Sequence, residues 1–324
     1  MQTYRIPQTD LEVSRLAYGT WHLGGSWDKN PPTDDVRERA ARLIYTAVEQ
    51  GINFIDLADI YTRGKSDTLI GELIARDPAL RQRVILQQKI GIRLTDPDQP
   101  HLPGRYDFSY EHLNATFHES LKRLNTDHVE LLLLHRPDPL IEPEEVARLF
   151  DELHAAGKVR YFGVSNHSPM QIELLKKYVR QPLVVNQLEL NLLHHYMIND
   201  GVVVNIPHQP YGHSEGLLDY CRLHDIMIQA WSPVAGGRLF NPPHDAPETV
   251  KAASAVIERL AAKYQTSQEA IALAWLLRHP AKIQPILGTL NPERLVLSCQ
   301  ADRVTLSREE WYQLFSAARG ANVP

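Results

Sequence analysis

Residues 129–135 read "VELLLLH", a run of apolar residues that stops on a histidine. Side chains on a strand alternate between two faces, so a short unbroken apolar run suits a strand covered on both faces. After His135 come the turn residues "RPDP" and then "PEEVARLFDELHAAGK" (143–158), which has helical periodicity, acidic residues in its first turn and a glycine near its end. The unit is a strand, a loop and a helix.

Working outward, the same unit recurs. "SRLAYGTW" precedes "DDVRERAARLIYTAVEQG", "NFIDLA" precedes "SDTLIGELIAR", and "RVILQQK" leads to "SYEHLNATFHESLKRLN". Downstream, "VRYFGVS" leads to "SPMQIELLKKY", "LVVNQLEL" to "SEGLLDYCRLHD", "IMIQAWS" to helices across 249–279, and "IQPILG" to "NPERLVLSC" and a terminal helix. Eight units in 324 residues without a break in composition predict an α/β protein, one (β/α)8 TIM barrel spanning 1–324. A doubly wound sheet is the rival, but it usually has fewer strands per domain. Long loops are expected at about 90–109, 191–213 and 237–247. In a barrel, loops that follow strands lie at the mouth.

Bulk composition narrows the function. The chain is 43% apolar and 23% charged with a formal net charge of −5, and no basic block suggests nucleic acid. No 18-residue apolar run and no secretory pattern appear, so a cytoplasmic protein without membrane partners is expected. The two cysteines, Cys221 and Cys299, are not a disulfide framework. Fifteen histidines include no His-x-His or His-x-x-x-His pair, so no metal is expected. The phosphate-loop reading of "GKS" at 64–66 fails because Asp59 stands where the motif needs glycine.

The polar residues concentrate at strand ends: Asp56, Lys89, His135, Ser165, Asn166, Gln187, Trp231 and Ser232. In a barrel these ends converge. Asp56 shares a face with Phe54, whereas Asp59 has the other parity, so a pair of cooperating carboxylates is disfavoured. A lone buried carboxylate needs a cation, and Lys89, ending the next strand, is the candidate. Tyr61 follows five residues after Asp56. A phenol with pKa near ~10 is a poor acid unless an ammonium lies within ~4–6 Å. His135 could donate to a carbonyl oxygen. Together these groups form a device for protonating a carbonyl as its carbon takes a hydride. Each residue also has a plain reading: buried structural carboxylate, loop anchor, solvated lysine, core histidine, packing tryptophan. Ser165 and Asn166 could simply cap the helix beginning near Pro169.

The boxes "GINFIDLADIY", a lysine after the next strand, "LLLLHRPDP", "GKVRYFGVSNH", "VVNQLEL", "AWSPVAGG" and "PILGTLNPERL" resemble the aldo-keto reductase superfamily, in that order and over nearly the whole chain. The ending "LFSAARGANVP" resembles a bacterial oxidoreductase branch. The resemblance implies NAD(P)H-dependent reduction of an aldehyde or ketone by a monomer. Tyr61 would be the proton donor, Lys89 would lower its pKa, Asp56 would pair with Lys89, and His135 would orient the carbonyl. For the cofactor it implies Ser165, Asn166 and Gln187 at the carboxamide and Trp231 against the nicotinamide. Ser232, Pro233, Val234, Ala235 and Gly236 would wrap the pyrophosphate. Gly288, Thr289, Arg294 and Ser298 would face the adenosine end, and Gly19, Thr20 and Trp21 the nicotinamide and substrate side. NADPH is expected, with NADH possible, because the Gly288–Asn291 box lacks the basic residue many members carry and the usual Asn is Ser298. The segment "TRGKSD" after Tyr61 replaces the common glycine, so the local turn is expected to differ. Arg136, Trp27 and Tyr211 are substrate contacts or rim residues. The rival functions are a nucleotide-sensing barrel with little turnover and a metal-dependent hydrolase using Asp56 and His135.

Overall fold

The structure, a computed structural model, describes residues 1–96, 98–206 and 214–324. Its centre is a closed barrel of eight strands. They are β1 (Ala17–Gly19), β2 (Phe54–Asp56), β3 (Ile85–Ile90), β4 (Val129–Leu134), β5 (Val159–Ser165), β6 (Leu183–Glu189), β7 (Met227–Trp231) and β8 (Gln284–Leu287). Each strand pairs in parallel with its neighbours in sequence, and β8 closes on β1. The chain folds as one (β/α)8 domain.

Parallel strands need crossovers, and amphipathic helices supply them. Asp34–Glu49, Lys65–Arg76, Tyr110–Leu124 and Pro143–Ala155 each bury one apolar stripe. Several starts are fixed by caps: the Ser109 hydroxyl accepts from the amide of His112, and Ser168 and Ser307 form capping boxes with Gln171 and Glu310. The helices Lys65–Arg76 and Tyr110–Leu124 cross closely at Gly71, where a β-carbon would stand 1.9 Å from the Arg123 carbonyl oxygen. Only glycine fits there.

The strands divide two cores. Leu86, Ile90, Leu132, Leu134, Phe162 and Val164 pack outward against the helices. Phe54, Leu131, Leu133, Val185, Met227 and Ile286 pack inward and fill the lower barrel. Ile6, Leu11 and Val13 join that inner core from below. They belong to an antiparallel hairpin, Thr3–Arg5 with Glu12–Ser14, that closes the N-terminal end of the barrel. The sequence reading began the structured chain at Ser14 and missed this hairpin. Two of the long loops carry short elements among their described residues. The 90–109 loop carries a short hairpin, Ile92–Arg93 with Arg105–Tyr106, and the 191–213 loop carries the helix Tyr196–Val202. Tyr211 lies outside the described residues.

Candidate active site

The barrel register sets the site's levels. Gly19 pairs with Asp56, Asp56 with Gln87, and Lys89 with Leu133, so Lys89 enters the barrel one step above Asp56, and His135 stands one step above Leu133 on the same face. Gly19 makes room: a β-carbon there would meet the Ile286 methyl at 2.7 Å and lie 3.9 Å from an Asp56 oxygen.

Lys89 Nζ donates to Asp56 Oδ1 at 2.5 Å, with both side chains essentially buried. The same ammonium lies 4.9 Å from the centre of the Tyr61 ring, and the Tyr61 and His135 rings meet edge-on at 5.8 Å. Four groups from four segments therefore converge. Asp56 Oδ1 also accepts from Gln87 Nε2 at 2.7 Å and Gln187 Nε2 at 2.8 Å. The Gln187 amide nitrogen is thus engaged by the carboxylate and by Gln229 rather than turned to the mouth.

Burial pushes the Tyr61 phenol well above its usual range, and the Asp56 charge adds to the effect; Arg136 opposes it. The Lys89 ammonium, 4.9 Å from the ring centre, stands where it would stabilise a phenolate. Tyr61 is a protonated acid at neutral pH. Burial pulls the Lys89 ammonium down while Asp56 supports it. Burial, with Lys89 and Arg136, holds His135 well below the ordinary histidine range, so the imidazole is neutral. Its Nδ1 has no hydrogen-bond partner among the described residues. Asp59 is buried outside this group, and its carboxyl is pushed up by burial and by Asp67.

The turn after Tyr61 is left-handed over three residues. Thr62 (φ 48°), Arg63 (φ 58°) and Gly64 (φ 84°) are successive left-handed residues. For a β-branched residue this conformation is strained. The neighbours hold it: Thr62 Oγ1 donates to the Tyr61 carbonyl at 2.7 Å, and Arg63 reaches the carbonyls of Trp27 at 2.7 Å and Thr95 at 3.1 Å. Lys65 pairs with Asp28 at 3.0 Å. The loop after β1, with Trp21 and Trp27 edge-on at 6.4 Å, is thereby fastened to the turn after Tyr61.

Several residues expected at the cofactor are hydrogen-bonded to one another at the strand ends. Ser165 Oγ donates to the Gln187 carbonyl, Asn166 Nδ2 donates to Ser165 Oγ at 2.8 Å, and Trp231 Nε1 donates to Asn166 Oδ1 at 3.1 Å. Because Ser168 caps the helix Pro169–Lys176, Ser165 and Asn166 are not capping residues. The Arg136 guanidinium stands 5.5 Å from the centre of the Trp231 ring. A cleft of about 540 Å³ opens here, lined by Arg136, Asn166, Glu189, His194, Met197 and Trp231 among others. Ser232 and Ala235 to Gly237 take positive φ, curling the chain after β7 so that a β-carbon added at Gly236 would meet nothing within 4 Å. Pro233 and Ala235 are buried and Val234 half-buried. Thr20 is buried, with its hydroxyl donating to the Asp56 carbonyl, and Trp21 is exposed. After β8, Gly288 and Arg294 are exposed and Thr289 is half-buried, whereas Ser298 is buried on its helix.

The aldo/keto reductase family model matches residues 15–319. The chain belongs to the aldo/keto reductase family. It is 36% identical over 323 residues to a 6-dehydroglucose reductase of Agrobacterium fabrum, covering 98% of this chain and 99% of that protein. It is 34% identical to the oxidoreductase YdhF of Escherichia coli over the full length of both. A solved glycerol dehydrogenase structure from Gluconobacter oxydans superposes with a TM-score of 0.83 at 27% identity, covering 100% of this chain and 97% of that one. This aldo/keto reductase is accordingly an oxidoreductase. Among the described residues no helix is long and apolar enough to cross a membrane, and no three His, Cys, Asp or Glu side chains gather as a metal site.

Sequence reasoning missed three buried amides in this reductase, Gln87, Gln229 and Gln284. Each sits inside the barrel at 0% exposure. A signal existed: Gln87 is two residues before Lys89, and Gln229 two before Trp231, so they share the inward parity of recognised site residues.

Proposed function

We propose that this chain reduces an aldehyde or ketone with NAD(P)H, Tyr61 giving the proton. The observation that carries the reading is the buried Lys89–Asp56 contact at 2.5 Å directly beneath Tyr61 and His135. What supports a nucleotide at the mouth is a half-exposed Trp231, a curled loop with open space at Gly236, and the exposed Gly288 and Arg294. There it would be held by Ser165, Asn166, Trp231, Ser232 to Gly236, Gly288, Thr289 and Arg294. Bound NAD(P)H supplies the hydride.

The chain's own residues do the rest. Neutral His135 donates to the carbonyl oxygen and fixes it. Tyr61, protonated because burial and Asp56 raise its pKa, hands its proton to the developing alkoxide. The phenolate left behind is stabilised by the Lys89 ammonium and by Arg136. A hydroxylated aldehyde is the substrate class favoured, since one relative is a 6-dehydroglucose reductase and the cleft beside Trp231 is lined by Arg136, Asn166, Glu189 and His194. Arg294, the basic residue near the adenosine end, favours NADPH, and NADH is the alternative hydride donor. The protein acts as a cytoplasmic monomer.

The test is NADPH and NADH consumption with a panel of simple and sugar aldehydes, alongside Tyr61→Phe. Tyr61→Phe should bind NADPH as the wild type does and lose about 10²–10⁴-fold in turnover. A wild-type rate in Tyr61→Phe would overturn the donor assignment. Nucleotide binding without consumption on any carbonyl would favour the sensing barrel.

A further inference from the structure

Below the Lys89–Asp56 contact the barrel interior is threaded by side-chain amides. Gln229 Oε1 accepts from Gln87 Nε2 at 2.8 Å and from Gln187 Nε2 at 3.1 Å. Gln229 Nε2 donates to Gln284 Oε1 at 2.9 Å, and Gln284 Nε2 donates to the Ser14 carbonyl at 2.7 Å. The chain of bonds runs from the reacting centre on β2 and β3 through β6, β7 and β8 to the floor of the barrel. All four amides are at most 2% exposed.

The orientation of these amides is dictated. Asp56 as a carboxylate can only accept, so Gln87 and Gln187 must present nitrogen to it. Gln87 then leaves its own oxygen without a partner among the described residues. A buried carbonyl is left unpaired while its nitrogen serves two acceptors, and this is sensible only if holding the Asp56 charge matters more. A dry carboxylate–ammonium pair has a competing state, in which the proton crosses and both groups are neutral. Each donor on Asp56 Oδ1 disfavours that state.

We propose that Gln87, Gln229 and Gln284 are positioning residues that keep Asp56 a carboxylate and thereby keep Lys89 an ammonium under Tyr61. The inference rests on the reductase reading of the same site and extends it to residues that touch neither substrate nor nucleotide. Gln229 locks the two amides that face Asp56, and Gln284 locks Gln229 to the backbone. The charged or titratable groups facing the pair are Tyr61 and His135 above, Asp59 and Asp67 from the outer side, and Arg136 at the mouth. None of these is bonded to the amide chain, so altering Gln229 or Gln284 leaves them in place.

The experiment uses Gln229→Met and Gln284→Met in the full chain, with two readouts. The first is the NMR titration of the lysine side chains in labelled protein, Lys89 being assigned by its disappearance in Lys89→Met. Lys89 should lose its proton about one pH unit lower in Gln229→Met than in wild type, with a smaller shift in Gln284→Met. The second is kcat against pH for oxidation of the cognate alcohol, which needs the Tyr61 phenolate. Its rising limb should move about one unit to higher pH and kcat should fall about tenfold, with the alcohol KM unchanged. Were Gln229→Met not to fold, Gln284→Met at the far end carries the same test. Unshifted Lys89 titration and an unmoved limb in a folded variant would overturn the proposal and leave the amides as core filling. Wild-type protein that turns over no carbonyl or alcohol would instead overturn the reductase reading, and the lysine titration would still decide the amide chain.

Discussion

Two adjacent residues of β3, Gln88 and Lys89, face opposite sides of the barrel wall, and each is sunk in a buried network around a carboxylate. Outside, Asp67 accepts from Ser120 Oγ at 2.6 Å, Arg123 Nη2 at 3.0 Å and Gln88 Nε2 at 3.1 Å, and Gln88 also bonds Ser120. Gln88 Oε1 accepts from the Lys89 amide, so both ends of that side chain are used. Inside, Asp56 is equally well supplied with donors, but its surroundings are left incomplete: among the described residues His135 Nδ1 and Gln87 Oε1 have no partner. A network that is complete around its carboxylate ties helices to the barrel. One that keeps spare polar groups beside a phenol is arranged for a ligand and for charge that appears only during reaction. Burial of charge alone does not mark an active site.

The sharpest way to break this comparison is to remove the cation from each side. Lys89→Met should lower kcat about 10³-fold, on the order of 4 kcal/mol of transition-state stabilisation, while nucleotide binding persists. Steady-state kinetics and a fluorescence titration check both halves. Arg123→Met should do the reverse. Leaving Asp67 buried without its guanidinium should cost about 3 kcal/mol of stability by urea denaturation, with kcat within about threefold of wild type. Should Arg123→Met abolish turnover in folded protein, the two networks would not be separable.

A third prediction concerns pH. His167 is buried, stacks on Phe108 at 6.3 Å and donates Nδ1–H to the Ser165 carbonyl at 2.8 Å; burial pulls its pKa down to about 4. Its folded-state pKa lies below the unfolded value of 6.5, so only the unfolded chain gains a proton as pH falls below 6.5. Stability is therefore full above that value and declines through the window down to about 4, by roughly 2 kcal/mol at pH 5 from this residue. His167→Gln should flatten the slope of stability between pH 7 and 5; an unchanged slope would assign the acid sensitivity elsewhere.

The smallest effect is expected at Thr62. Glycine would relieve about 1–2 kcal/mol of left-handed strain but lose the hydroxyl's bonds to Tyr61 and Ser66 and raise backbone entropy. Thr62→Gly should change stability by less than about 1 kcal/mol by urea denaturation. A loss above about 2 kcal/mol would mean that the side-chain bonds outweigh the strain.

The barrel was legible because its strands announce themselves. "VELLLLH" and most of its counterparts are short, largely apolar runs, and the polar residues near their ends report the mouth. Parity correctly separated Asp56 from Asp59. The N-terminal hairpin was not legible because Thr3–Arg5 is mostly exposed and carries no apolar run. The helix Tyr196–Val202 was hidden by its brevity and by Asn199, Asp200 and Gly201, which argue for a loop. The amide chain escaped because each glutamine is unremarkable alone; only closure of the barrel brings strands β3, β6, β7 and β8 face to face. The rise of the Tyr61 pKa escaped because a sequence does not show that the phenol is buried, which is the main cause, with the Asp56 charge adding to it.

The central claim is that Lys89 and Tyr61 work as one unit. The most direct test is a double-mutant cycle on kcat/KM with Lys89→Met, Tyr61→Phe and the pair together. If the ammonium acts by stabilising the Tyr61 phenolate, the double variant should be no slower than Tyr61→Phe alone. Losses that multiply, each substitution costing the same with or without the other, would contradict the account.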